Sequence, residues 1–236
     1  MEAAPGGLIS LPDPHADMSP VLARILPFAL YIALLALEGV LPDWAPGFDA
    51  RWLYPVKAGL VALALAMLWR HYGELKTWGL SAVNFVLSVA VGIVVLVLWV
   101  NLDAGWMLMG EPGAGYDPRD AGGRIDWTLV AFRIAGAALV VPLMEELFWR
   151  SFLQRWIQQA DFLALNPARI GVKALLIASA LFAVEHLQWF AGLIAGLAYG
   201  WLYIRTRTLW APIVAHAVTN GGLGAYVVAT GRWSFW

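Results

Sequence analysis

Seven stretches of mostly apolar side chains, at roughly 21–41, 52–69, 82–100, 130–155, 172–188, 189–204 and 209–229, follow one another along a chain of 236 residues. A helix crossing a bilayer needs about 20 such residues, so each stretch predicts a membrane span, and little chain is left to build anything else. Only 13% of the residues are charged, against about a quarter in soluble domains, which excludes a soluble enzyme. A formal net charge of −1 gives a nucleic-acid backbone nothing to bind. The absence of cysteine removes disulfides, a thiolate zinc site and a Cys nucleophile together. No period-two alternation runs through the segments, so an outer-membrane barrel is excluded as well. The expected fold is all-α, a polytopic bundle of about seven transmembrane helices.

Helix breakers mark several boundaries: Pro42 to Gly47, Gly73, and a Gly-rich run from Asn101 to Asp126. The fifth and sixth helices are divided only by His186-Leu187-Gln188-Trp189, which has almost no turn chemistry. Glu2, Asp13 and Asp17 stand where a signal peptide needs positive charge, so the first helix is expected to stay in the protein. Eight Lys and Arg residues (Arg24, Arg70, Lys76, Arg155, Arg169, Lys173, Arg205, Arg207) would share one side and five (Arg51, Lys57, Arg119, Arg124, Arg232) the other. That bias predicts a cytoplasmic N-terminus and an outer C-terminus, in a cell inner membrane. Trp44, Trp52, Trp69, Trp78, Trp99, Trp106, Trp127, Trp156, Trp189 and Trp210 fall near the expected interfaces, where amphipathic rings are favoured; Trp149 alone lies inside a helix.

Ionisable side chains within a span cost at least about 2.5 kcal/mol each on the insertion scale, so each is a functional candidate. Helix four carries Glu145, Glu146 and Arg150; helix five carries Phe182, Glu185 and His186; helix seven carries His216 and Asn220. At about 1.5 Å of rise per residue, Glu145, His186 and His216 come out at similar depth. Glu146 and Arg150, four apart, share a face, so one carboxylate is neutralised within its helix while Glu145, about 100° away, points elsewhere. His216 and Asn220 repeat the spacing and would aim two donors at one point. Glu38 and Lys57 are expected to pair between helices or to snorkel, and Asp103, Glu111, Asp117, Asp120 and Asp126 to solvate a loop. Gly192, Gly196 and Gly200 form a small-residue row expected to clamp helices five and seven together.

A carboxylate beside an imidazole, facing a second imidazole and a carboxamide, is equipped for hydrolysis. Glu145 with His186 would activate a water, and His216 with Asn220 would donate to the oxyanion formed on a peptide carbonyl.

Glu-Glu-x-x-x-Arg, Phe-x-x-x-His and His-x-x-x-Asn, in that order over the last 110 or so residues, resemble the motif set of the CAAX-processing and bacteriocin-processing (CPBP, or ABI) family of intramembrane proteases. Size and the long Gly-rich loop also resemble the CAAX-protease-related proteins that accompany bacterial exosortase systems. The resemblance implies a glutamate-dependent endopeptidase without a metal cofactor. Its catalytic residues would be Glu145, His186, His216 and Asn220, supported by Glu146 and Arg150, and its partners a membrane-associated protein or peptide substrate and the lipid bilayer. It also implies access from the cytoplasmic side. On this reading 1–20 form a short cytoplasmic tail, 21–126 three accessory helices and the Gly-rich loop, and 127–236 the catalytic bundle. Glu185 has no role in the pattern and leaves open which carboxylate partners His186. Two alternatives stay open: a zinc site on Glu145, His186 and His216, and a non-catalytic membrane scaffold or immunity-type protein.

Overall fold

The computed structural model describes residues 18–40 and 47–236. The acidic residues Glu2, Asp13 and Asp17, most of the expected tail, most of the Pro42 to Gly47 break and Trp44 lie outside the described residues.

Seven main helices account for the seven apolar stretches: α1 (Pro20–Glu38), α2 (Leu53–Met67), α3 (Ala82–Asn101), α4 (Trp127–Trp156), α5 (Val172–Val184), α6 (Trp189–Thr206) and α7 (Trp210–Thr230). There is no strand among the described residues, so the protein is an all-helical bundle. Five of the helices, α1 to α4 and α7, the second counted with its leading turn, are long and apolar enough to cross a membrane. Their outward faces carry exposed Leu22, Ile32, Leu63, Val83, Val94 and Leu139, the surface a protein presents to lipid rather than to water. The chain is an integral membrane protein.

Local chemistry sets the helix ends. Ser19 caps α1 with Pro20 at its first position, Ser81 caps α3, and Asp126 caps α4 by accepting from the amides of Thr128 at 2.9 Å and Leu129 at 3.3 Å. Asp126 therefore does more than solvate a loop. So do its neighbours: Asp117 and Asp120 pair with Arg119 and Arg124, and Asp103 reaches Arg232 at 2.8 Å.

Helix α5 ends at Val184, four residues before its expected end, and Glu185 to Gln188 form the turn into α6. Thirteen residues rise only about 20 Å, short of the roughly 30 Å hydrocarbon core. The turn is tied to other protein through its buried last residue, Gln188, and one backbone bond. Gln188 donates to the carbonyl of Trp99 at 2.9 Å, and Leu187 accepts from the amide of Met109 at 2.7 Å. Irregular backbone at membrane depth is tolerated where protein covers it in this way.

The glycine row of α6 packs against α5 and the end of α4, not α7. A Cβ at Gly192 would meet Ala183 and His186, one at Gly196 would meet Ser179 at 3.0 Å, and one at Gly200 would meet Leu175 and Gln154. Helix α7 lies mainly on α3, where Gly92 lets the backbones approach.

Helix α1 is fastened at both ends. Lys57 reaches Glu38 at 2.7 Å, the expected interhelical pair. At the other end Arg24 is fully buried, bonds Glu74 at 2.6 Å and donates to Ser151 Oγ at 2.9 Å, while Arg155 donates to Ser151 from the same helix α4.

Candidate active site

Helix α4 is not uniform. Wide π-helical turns at Gly136–Val140 and Leu147–Leu153 flank the segment Val141–Glu146. Pro142 has no N–H to offer the carbonyl four residues back, so the hydrogen-bond ladder steps out of register ahead of it. The carbonyls freed by such turns need donors, and side chains supply them. Asn220 of α7 donates Nδ2 to Ala137 O at 2.9 Å, and Arg155 donates Nε to Ser151 O at 2.6 Å.

Glu145 and Glu146 face different surroundings, as their angular separation predicts. Glu146 is fully buried, with Arg150 Nε 3.2 Å from Oε2 and His216 Nδ1 3.0 Å from Oε1. Arg150 is held between rings, its guanidinium carbon 4.5 Å from the Phe182 centroid and 5.5 Å from that of Tyr199. Glu145 instead lines a cavity of about 770 Å³, together with His186, His216, Asn220, Thr219 and Tyr199. The four expected catalytic residues thus border one space.

Three details differ from the sequence expectation. His186 lies in the turn after α5 rather than on a helix. The spacing to Phe182 still matters, because His186 Nδ1 lies 2.8 Å from the carbonyl of Phe182. A carbonyl only accepts, so Nδ1 carries the proton and Nε2 keeps its lone pair. His216 and Asn220 do not offer all their donors to one point, since His216 Nδ1 is spent on Glu146 and one Asn220 N–H on Ala137. What remains is His216 Nε2, 4.0 Å from Glu145 Oε2, and the second N–H of Asn220. The ring of His216 is fixed by stacking on Tyr199 at 5.0 Å, and Tyr199 donates to Thr219 at 2.7 Å.

Glu185 belongs to the site. One oxygen from Glu145, one from Glu185 and a ring nitrogen of His186 all lie within 4.8 Å of one another. Trp149 donates Nε1 to Glu185 at 3.1 Å, which explains the one tryptophan expected away from an interface. Glu185 stands beside His186 in the sequence, but its partner is 36 positions away, so only the fold discloses the bond. This trio is also the set able to hold a cation. The zinc alternative therefore gains Glu185 beside Glu145 and His186, the group whose ligand atoms meet that spacing among the described residues.

The cavity opens at the end of the bundle that carries Gly113 to Tyr116 and Ser234 to Trp236, which line it and the clefts adjoining it. This is the end opposite the eight-cation side.

No curated protein and no solved structure matches the chain. Residues 127–222, which contain Glu145, Glu146, Arg150, His186, His216 and Asn220, match the family model described as type II CAAX prenyl endopeptidase Rce1-like. This part of the chain is accordingly similar to the Rce1-like proteases of the CPBP family.

Proposed function

We propose that the protein is an intramembrane endopeptidase that hydrolyses a peptide bond in a membrane-associated protein or peptide, with Glu145 and His186 activating the water. One observation carries the reading: Glu145, Glu185 and His186 converge within 4.8 Å, and Glu145 and His186 line the cavity that His216 and Asn220 also line. Two acceptors at that separation straddle one water at ordinary hydrogen-bond lengths of about 2.8 Å each. The water attacks the peptide carbonyl as Glu145 or His186 Nε2 takes its proton. The oxyanion accepts from the free N–H of Asn220, and from Nε2 of His216 when that nitrogen carries a proton while Nδ1 donates to Glu146. The proton then passes to the departing amine, leaving a new carboxylate and a new amine terminus.

The decisive experiment compares new N- and C-termini across the membrane proteome of the native host carrying the wild-type protein or Glu145→Gln at equal abundance. Termini that disappear in the variant name the substrate. Matching termini, where the wild type has a phenotype, would leave the scaffold reading standing. They would also remove the association with exosortase systems as a protease.

The trio favours a second reading, a zinc-assisted hydrolase with Glu145, Glu185 and His186 as ligands. Stoichiometric zinc by elemental analysis, with activity lost on chelation and restored by zinc, would establish it.

By the Lys and Arg bias, the N-terminus is cytoplasmic in a cell inner membrane and the site is reached from the outer face. Because the chain has no cysteine, single cysteines placed at Gly113 and Arg207 test this cleanly. Labelling of the first and not the second by an impermeant maleimide on intact spheroplasts is expected, and the reverse pattern inverts the topology.

A further inference from the structure

Arg133 of α4 has no place in this chemistry, yet its side chain lines both the catalytic cavity and the cleft beside it. Its guanidinium carbon lies 4.0 Å from the ring centroid of Tyr54 and 5.5 Å from that of Tyr116. It makes no ion pair among the described residues, and Glu38, the acidic side chain lining the cleft, is taken by Lys57. Two donors here lack an acceptor among the described residues: Arg133 Nε and the hydroxyl of Tyr54, both shielded from bulk solvent. A buried donor without an acceptor is costly, and a guanidinium without a counter-charge more so. Lys57, Glu38 and Arg133 together leave one positive charge in excess. A planar guanidinium fork with an adjacent hydroxyl matches the geometry of a carboxylate.

We propose that Arg133, assisted by Tyr54, binds a carboxylate of the peptide substrate, either its chain terminus or an acidic side chain, and so sets where the peptide lies along the cavity. The proposal rests on the protease reading. Arg133 stands twelve positions before Glu145 on one helix, about 18 Å along its axis. An extended peptide advances at most about 3.3–3.6 Å per residue, so the anchored carboxylate lies about five residues from the bond cut. Arg133 is a specificity-determining residue, not a catalytic one. Its place inside the catalytic cavity, rather than on a lipid-facing surface, favours a peptide over a lipid headgroup.

The test uses the full chain in nanodiscs of uncharged lipid, in a Glu145→Gln background so that bound peptide is not turned over. The probe is a pool of randomised decapeptides made twice, with a free C-terminal acid and with a C-terminal amide, and retained peptides are counted by mass spectrometry. Acid peptides, or peptides with Asp or Glu, are expected to be enriched about tenfold or more, as for a charge-assisted bond. Enrichment of the acid pool irrespective of sequence assigns the chain terminus; enrichment of Asp or Glu in both pools assigns the side chain. Arg133→Gln should bring the ratio close to one, and Arg133→Lys should retain part of it. A ratio of one in the parent, an unchanged ratio in Arg133→Gln, or loss of enrichment on adding phosphatidylglycerol would overturn the proposal, the last by giving the site to a lipid headgroup. Failure of the protease reading is seen separately, as no cleavage by the protein with Glu145 intact while the enrichment persists.

Discussion

Gly92 sits where α3 meets α7, and replacing it by Ala tests whether that contact sets the catalytic geometry. A Cβ built there would lie 2.4 Å from the carbonyl oxygen of Ala215 and 2.9 Å from Val218 Cβ. Ordinary contact begins near 3.4 Å, so the two helices must part by about 1 Å, and the nearest obstacle is backbone that cannot rotate away. The same movement stretches the bond from Thr219 Oγ1 to Gly92 O, now 2.9 Å, beyond hydrogen-bonding range. Overpacking of this kind costs about 1–3 kcal/mol, or a fall in Tm of about 2–12 °C for a chain of this size. His216 follows Ala215 directly, and a misplacement of about 1 Å at a catalytic group costs up to about 10²-fold in rate. Tryptophan fluorescence melts and cleavage rates on the identified substrate measure the two effects. Gly59→Ala on α2, where a Cβ meets nothing within 4 Å, is the control and should be neutral or slightly stabilising. A Gly92→Ala protein that melts and cleaves like the control would refute the reasoning.

Glu145→Gln keeps the shape of the side chain and should lower cleavage by at least about 10²-fold with little change in Tm; retention of activity removes Glu145 from water activation. Trp149→Phe deletes the donor to Glu185 and should slow cleavage by up to about tenfold, the worth of one hydrogen bond, while an unchanged rate would mean that Glu185 needs no orienting. Glu74, outside the spans, has its carboxyl pushed up by burial but held below the usual range overall, because Arg24 and Ser151 more than reverse that effect. A depressed folded value means stability that is present above the unfolded value of about 4.5 and lost as pH falls through the folded one. Melts of the wild type should therefore show an acid limb that Glu74→Gln lacks. The variant should also be weaker near neutrality by about 3 kcal/mol, since Arg24 and Arg155 then face each other without a counter-charge.

Much of this was legible in hydropathy and spacing. Seven apolar stretches became seven helices because each must satisfy its own backbone in lipid, and Glu146 met Arg150 because positions four apart share a face. What escaped reading depended on contacts between distant residues or on departures from the regular helix. Asp126 looked like a loop acid because a cap is visible only once the helix start is fixed. The end of α5 at Val184 has no glycine or proline to announce it, and the turn is held by Gln188 and Leu187 bonding to Trp99 and Met109. The glycine row of α6 was recognisable as a packing face, but its partner was not, since a small-residue stripe does not specify which helix will occupy it. Arg24 and Glu74 were readable only as charges to be counted, though they meet across 50 residues.

The two adjacent glutamates show why the site sits where helix α4 departs from regularity. In an unbroken helix both ends of this segment would be bound to the ladder, with no carbonyl left for Asn220 or Arg155. The wide turn ahead of Pro142 frees Ala137 O, which draws Asn220 against α4, and Asn220 shares α7 with His216. His216 in turn closes on Glu146, so one carboxylate is enclosed by a guanidinium and an imidazole. Glu145, one residue earlier, is left with no such partner and with access to the cavity. Its Oε2 has no hydrogen-bond partner and faces Nε2 of His216 at 4.0 Å; Oε2 of Glu146 also has none but lies 3.2 Å from the Arg150 guanidinium, so Glu145 is the carboxylate that a water or substrate would complete. The asymmetry follows from what surrounds each carboxylate: Glu146 lies against a fixed guanidinium and imidazole, and Glu145 faces the cavity where the peptide would lie.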